Sequence, residues 1–242
     1  MRLQLISGKW EYKSYSCLGK VHQFLETWRC DGSSPGHLAL RFIPESERDV
    51  GVLNRMHPTI FGKLLFYNSY MGCESVFFDI TRSRSPMFHL INEKPWNHKS
   101  LTRVMTYELD TTNKVVDAAL QSCIKYAGGG RPYVYDDCAY ITAFFPVCFQ
   151  CCPMVLNQGH CVQLVLQILS EALYDNPRQL RHEMTYNGLF TGWCTRHPPY
   201  AAYSPLKTII ALQDIHLIED GEPLNGERCR RFEFNQIQKS LG

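Results

Sequence analysis

The chain has 242 residues, of which 45% are hydrophobic and 20% are charged, a composition typical of a globular protein with a large core. Lysine and arginine total 25 against 23 aspartate and glutamate, so the net charge of +2 gives no reason to expect nucleic acid as a partner. No linker of altered composition divides the sequence, and we therefore predict a single domain over 1–242.

The eleven cysteines are scattered along the chain and odd in number, unlike the compact, even framework of a small secreted scaffold. No N-X-S/T sequon is present, and the N-terminal apolar stretch is too short for a signal peptide. We expect a reducing compartment, namely the cytoplasm, or the host cytoplasm or a virion for a viral protein. The longest apolar stretch, 141–156, contains two prolines and predicts no transmembrane segment.

The first half of the chain predicts mainly strands. Segments 21–30 and 37–43 are typical of two strands joined by a turn rich in Gly, Ser and Pro, although 21–30 could also be helical. Residues 44–72 contain apolar positions at helical spacing and are predicted to form an inserted helical segment. A further strand is predicted over 75–81.

The second half adds two helices. After a predicted strand at 102–109, an apolar stripe predicts a helix over 111–127, which the triple glycine at 128–130 ends. A helix apolar on most sides begins near Cys161, and 204–212 is either a strand or a short helix. This order indicates an α+β domain, and the absence of a glycine-rich phosphate loop gives nucleotide binding no support.

Cys161 follows Gly159 and His160 directly and is the first candidate for chemistry. A thiol attacks as its thiolate, which an ordinary pKa of about 8.5 leaves scarce at neutral pH. A helix N-terminus stabilises the anion through free N–H groups, and a nearby histidine can take the proton. The competing interpretation is a small buried side chain in an apolar helix.

Two other residues could complete a catalytic site. His37 opens a predicted strand after a turn, which would place its ring at the rim of a sheet. Asp79 stands among apolar residues on the next strand, where an unpaired buried carboxylate would be costly, and it could orient the imidazole. The neighbour His160 is a poorer base, because consecutive residues at a helix start point in different directions.

The segments "GHLALRF", "SVFFDI", "VVDAALQSCIKYAGGGRPYVYDD" and "GHCVQLVLQIL" stand in an order that resembles the circularly permuted papain-like proteins. This group includes NlpC-related, YiiX-like and lecithin retinol acyltransferase-like families and poxvirus relatives. The resemblance covers about 37–212 and implies an antiparallel sheet packed on a buried helix that carries the cysteine. It also implies that Cys161 is the nucleophile, His37 the base and Asp79 the orienting acid, without a cofactor or metal.

The resemblance implies a thiol hydrolase, an amidase, peptidase or esterase, that works through a thioester acyl-enzyme. Transfer of an acyl group to a lipid-like acceptor is the alternative within the enzyme class. The expected partner is a peptide, an amide or an acyl lipid, and we assign substrate binding to Tyr133, Tyr135 and His160.

Two further interpretations need no catalysis. The protein could be a binding or structural module of the same fold. Alternatively, the pair Cys148 and Cys151, with Cys152 adjacent, has zinc-ligand spacing, and His160 and Cys161 could complete a structural zinc site.

Overall fold

A computed structural model of the chain describes residues 1–10, 36–56, 76–80, 86–90, 101–127, 133–135, 158–184, 200 and 203–223, and the account below concerns these residues. Their strands are β1 (Arg2–Trp10), β2 (Gly36–Ile43), β3 (Val76–Asp79), β4 (Met87–Leu90), β5 (Leu101–Glu108), β6 (Val134–Tyr135), β7 (Gln158–Gly159) and β8 (Glu222–Pro223). Their helices are α1 (Glu47–Met56), α2 (Asn113–Ala127), α3 (Cys161–Leu173), α4 (Gln179–Glu183) and α5 (Pro205–Asp214).

Six strands form one sheet in the order β4-β3-β2-β1-β5-β8, and every neighbouring pair in it is antiparallel. The short strands β6 and β7 pair separately and in parallel, and β7 is followed closely in the sequence by α3. The protein is therefore a mixed α+β structure built on an antiparallel sheet, as the order of the predicted elements indicated.

One face of the sheet carries the main core. Leu38, Leu40 and Phe42 of β2 are fully buried and belong to a cluster that also contains the apolar residues of α2, α3 and α5. Leu3 and Leu5 of the neighbouring strand β1 join the same cluster. Because side chains alternate between the two faces of a strand, these even positions of β2 define the helix-covered face of the sheet.

The opposite face is also buried near the middle of the sheet. Ile6, Ala39 and Phe77 have no more than 1% of their surface exposed, yet they lie outside the helix-covered cluster. Farther along this face Arg41 lies over the ring of Phe77 and donates a hydrogen bond to Gln4. The two faces of β2 therefore have different neighbours, which decides how its residues can reach a site on α3.

The helices α2 and α3 pack on each other and against the sheet. The predicted helix over 111–127 is confirmed as α2, and the predicted helix beginning near Cys161 is confirmed as α3. The predicted strands over 37–43, 75–81 and 102–109 are confirmed as β2, β3 and β5 with ends that differ by one or two residues.

Several elements differ from the sequence prediction, and one predicted segment lies outside the described residues. The N-terminal segment is β1, a central strand that we did not predict, and β4 was also missed. The ambiguous segment 204–212 is the helix α5, because Ser204 caps it and Pro205 occupies its first position. Within the insertion at 44–72 the structure describes the helix α1, while segment 21–30 lies outside the described residues.

Candidate active site at the start of helix α3

Cys161 is the first residue of α3, and its thiol is free. His160 precedes the helix in an extended conformation, and its carbonyl oxygen accepts the first helical hydrogen bond, from the N–H of Leu164 at 3.2 Å. The N–H groups of residues 161–163 precede that of Leu164 in the chain and have no acceptor within the helix. The helix start thus supplies donors and a partial positive charge beside the sulfur.

The surroundings of Cys161 are largely apolar. The residue is 4% exposed, and it belongs to the same core cluster as Val162 and Val165. A thiol in such a place is shielded from water, and a substrate would have to displace neighbouring groups or enter from the helix start to reach it.

His37 is the second residue of β2, the strand against which α3 packs, and it is 5% exposed. The strand alternation places it with Ala39 and Arg41, on the face opposite Leu38 and Leu40. Gly36 supports this parity, because a side chain at that position would meet Pro205 of α5, on the helix-covered face, at 3.3 Å. The packing therefore brings the strand of His37 to α3 and turns its Cβ away from α3.

Asp79 is the last residue of β3, next to β2, and its backbone pairs with that of Met87. Its position one residue beyond the Phe78 to Leu40 pair puts it on the strand neighbouring that of His37. The side chain of Asp79 lies outside the described part of the chain, so its expected role stays a prediction.

Tyr133 is buried, with 3% of its surface exposed, and its ring packs edge-on against Tyr126 of α2. Its hydroxyl donates a hydrogen bond to the carbonyl oxygen of His160 at 3.4 Å. The side chain assigned to substrate binding therefore contacts the backbone that leads into Cys161. The side chain of Tyr135, the last residue of β6, lies outside the described residues.

Gly159 and Gln163 belong to the same region, and neither was predicted to have a role. A Cβ on Gly159 would lie 2.2 Å from Gln163 Oε1 and 2.3 Å from Tyr133 Oη, so a larger residue at 159 would displace these side chains. Gln163 is the third residue of α3, and its Oε1 lies against Gly159 without a hydrogen-bond partner among the described residues. The capping-box pattern does not identify it, because the residue before the helix is His160 and not serine or threonine.

Cys123 of α2 offers a comparison within the core. Burial raises the pKa of its thiol well above the ordinary value, and the charge of Glu171 raises it further. Cys123 is fully buried in the middle of a helix, whereas Cys161 begins one. The two cysteines therefore make a matched pair for chemical tests.

The described residues contain no group of three His, Cys, Asp or Glu side chains arranged to hold a metal ion. The proposed zinc ligands Cys148, Cys151 and Cys152 lie outside the described residues, so that interpretation stays untested. Within the described ranges, no helix combines the length and apolar character that crossing a bilayer requires.

Comparison of the chain with protein-family models, with curated proteins and with solved structures finds no match. Function is therefore inferred from the geometry around Cys161 and from the order of the chain's segments.

Proposed function

We propose that the protein is a thiol-dependent hydrolase of an amide or ester that uses Cys161 as its nucleophile. The observation that supports this most is the position of Cys161 as the first residue of a buried helix that packs against the strand carrying His37. The same arrangement is what the resemblance to the permuted papain-like proteins implies.

The reaction follows from the groups at the helix start. His37 takes the proton of the Cys161 thiol, and the sulfur attacks the carbonyl carbon of the substrate. The N–H of Cys161 donates to the oxygen that becomes negative. His37 returns the proton to the leaving amine or alcohol as the C–N or C–O bond breaks. Water then hydrolyses the thioester, which releases the acid and restores the thiol.

For this reaction the imidazole of His37 must reach the sulfur of Cys161. Since the alternation of β2 turns its Cβ toward the face opposite α3, the imidazole has to reach the sulfur around the N-terminal end of the strand. Residue 36 is a glycine there, and a Cβ in its place would lie 2.7 Å from the carbonyl oxygen of Gly8. Strands β1 and β2 are therefore closely packed at the N-terminal end of β2, next to His37.

A non-catalytic binding module of the same fold is the second candidate, and the burial of Cys161 favours it. The residue is 4% exposed and is part of the apolar core, which is also how a purely structural cysteine is placed. In that case the sulfur serves only in the packing of the core, and His37 packs on the opposite face of the sheet.

Acyl-enzyme formation separates the two candidates. The folded chain is treated with p-nitrophenyl acetate, and the acetylated peptides are identified by mass spectrometry. A hydrolase gives a burst of p-nitrophenolate and an acetyl group on the Cys161 peptide; Cys161→Ala abolishes this burst and Cys123→Ala retains it. A wild-type chain without acetyl-Cys161, or an equal burst from Cys161→Ala, contradicts the proposal and supports the binding module.

A further inference from the structure

The three groups that meet just before α3 are the Cα of Gly159, the carboxamide of Gln163 and the hydroxyl of Tyr133, and we call them the 159 contact. We propose that the 159 contact positions the His160–Cys161 peptide, with Tyr133 and Gln163 acting as positioning residues for Cys161. This inference rests on the proposed function, since it assigns a purpose to the geometry of the nucleophile.

The contact is tight from both sides. A Cβ on Gly159 would lie 2.2 Å from Oε1 and 2.6 Å from Cδ of Gln163, and 2.3 Å from the oxygen of Tyr133. Distances under 3 Å between such atoms do not occur without displacement. The two polar side chains therefore occupy the space that a side chain at 159 would need.

The hydrogen bonds explain why this contact acts on Cys161. The carbonyl oxygen of His160 accepts from Tyr133 at 3.4 Å and from the N–H of Leu164 at 3.2 Å. That carbonyl and the N–H of Cys161 belong to one planar peptide, so fixing the carbonyl also fixes the direction of the N–H. The N–H is the donor proposed for the oxyanion.

The short parallel pair of β6 and β7 holds the other end. Val134 pairs with Gln158 and Tyr135 pairs with Gly159, so the strand that follows Tyr133 is bound to the strand that precedes His160. Tyr133 is thus anchored relative to the same backbone that its hydroxyl contacts.

The carboxamide of Gln163 has a feature that a purely structural contact does not explain. Its Oε1 is buried and has no hydrogen-bond partner among the described residues. Leaving such an atom unpaired is destabilising, so a glutamine kept here for stability alone would be a poor choice. The carboxamide lies against Gly159, and in this proposal its role is to hold the backbone before Cys161 in position.

The test compares the rate of Cys161 alkylation by iodoacetamide from about pH 6 to about pH 9 in four folded variants. They are Tyr133→Phe, Gln163→Met, Gly159→Ala and the control Gly51→Ala, whose added Cβ meets no atom within 4 Å. The same digest reports alkylation of buried Cys123, which measures general loosening of the core, and urea unfolding gives the midpoint.

The proposal predicts that Tyr133→Phe and Gln163→Met change the pH profile of Cys161 and lower its rate about tenfold, because the displaced N–H groups of the helix start then stabilise the thiolate less. In both variants the alkylation of Cys123 and the urea midpoint stay near the wild-type values. Gly51→Ala leaves the alkylation of both cysteines unchanged, and its urea midpoint rises slightly because alanine favours the helix interior more than glycine does. The proposal is overturned if the pH profiles of Cys161 alkylation are the same in the variants and the wild type. It is also overturned if the alkylation rate of Cys123 changes in parallel with that of Cys161. Gly159→Ala is expected to disturb the structure most. If Gly159→Ala does not fold, Tyr133→Phe still provides the test.

Alkylation of a thiol requires no acyl-enzyme, so this experiment gives a result whether or not p-nitrophenyl acetate acylates the chain. A failed acylation with altered alkylation profiles contradicts the proposed hydrolase and leaves the 159 contact supported. Normal acylation with unaltered profiles contradicts the 159 contact and leaves the hydrolase supported.

Discussion

His37 and Leu38 are consecutive residues of β2, and they lie on opposite faces of the sheet. Leu38 belongs to the core cluster shared with α2, α3 and α5, while His37 is aligned with Ala39 and Arg41 on the other face. Both residues are buried, His37 to 5% and Leu38 to 0% exposure. Substitutions at the two positions are therefore expected to have different consequences.

Replacing Leu38 with alanine is expected to lower the free energy of unfolding by about 2–5 kcal/mol, because it leaves a cavity against the helices. Leu206→Ala is the matched control, since Leu206 on α5 is 50% exposed, and its cost should stay below about 1 kcal/mol. Urea unfolding measures both. Equal costs for the two substitutions would contradict the placement of Leu38 in the core.

The thiol of Cys123 predicts a pH dependence of stability. Burial, and secondly the charge of Glu171, raise its pKa, so the folded chain keeps the proton while the unfolded chain loses it above about pH 8.5. The stability contributed by this group is complete below that pH and declines above it, by up to about 1.4 kcal/mol per pH unit.

The difference between the wild type and Cys123→Ala isolates that contribution from those of other titrating groups. Unfolding free energies measured from pH 7 to pH 10 should fall more steeply for the wild type than for the variant. Parallel curves would show that Cys123 ionises equally in both states, against its complete burial.

Ser122 connects the two packed helices. Its hydroxyl donates to Glu171 Oε2 at 3.0 Å, and Tyr126 approaches the other carboxylate oxygen at 3.5 Å. Ser122→Ala removes the shorter bond from a partly buried carboxylate and is expected to cost about 1–3 kcal/mol. Asp117→Ala, an exposed change on the same helix, should remain within about 0.5 kcal/mol of the wild type. If both variants unfold at the same urea concentration, the bond does not stabilise the helix pair.

The helices were predictable because their apolar spacing is strong and local. Val116, Ala119, Leu120 and Cys123 recur at helical intervals and are all buried on α2. The strand β1 was missed although Leu3 and Leu5 alternate with Arg2 and Gln4, because that short segment was considered only as a signal sequence. The period-two pattern was present in the sequence and was not used.

The candidate site was predictable in part. The position of Cys161 at a helix start follows from the local pattern, and the structure confirms it. The facing of His37 could also have been read from "HLALRF", in which Leu38, Leu40 and Phe42 alternate with His37. Its role was instead assigned from its place at the start of the strand and from the order of the segments. The meeting of Tyr133 with His160 joins residues 27 positions apart, and no local pattern contains it.

The most direct test of the proposed hydrolase is the acylation rate of Cys161 in His37→Ala, followed by mass spectrometry of the Cys161 peptide. The control is His182→Ala, because His182 is an exposed histidine on α4. We predict that His37→Ala slows acylation at least about a hundredfold at neutral pH, while His182→Ala acylates at the wild-type rate. If p-nitrophenyl acetate acylates Cys161 of the His37→Ala variant as fast as that of the wild type, the proposed role of His37 as the base is contradicted.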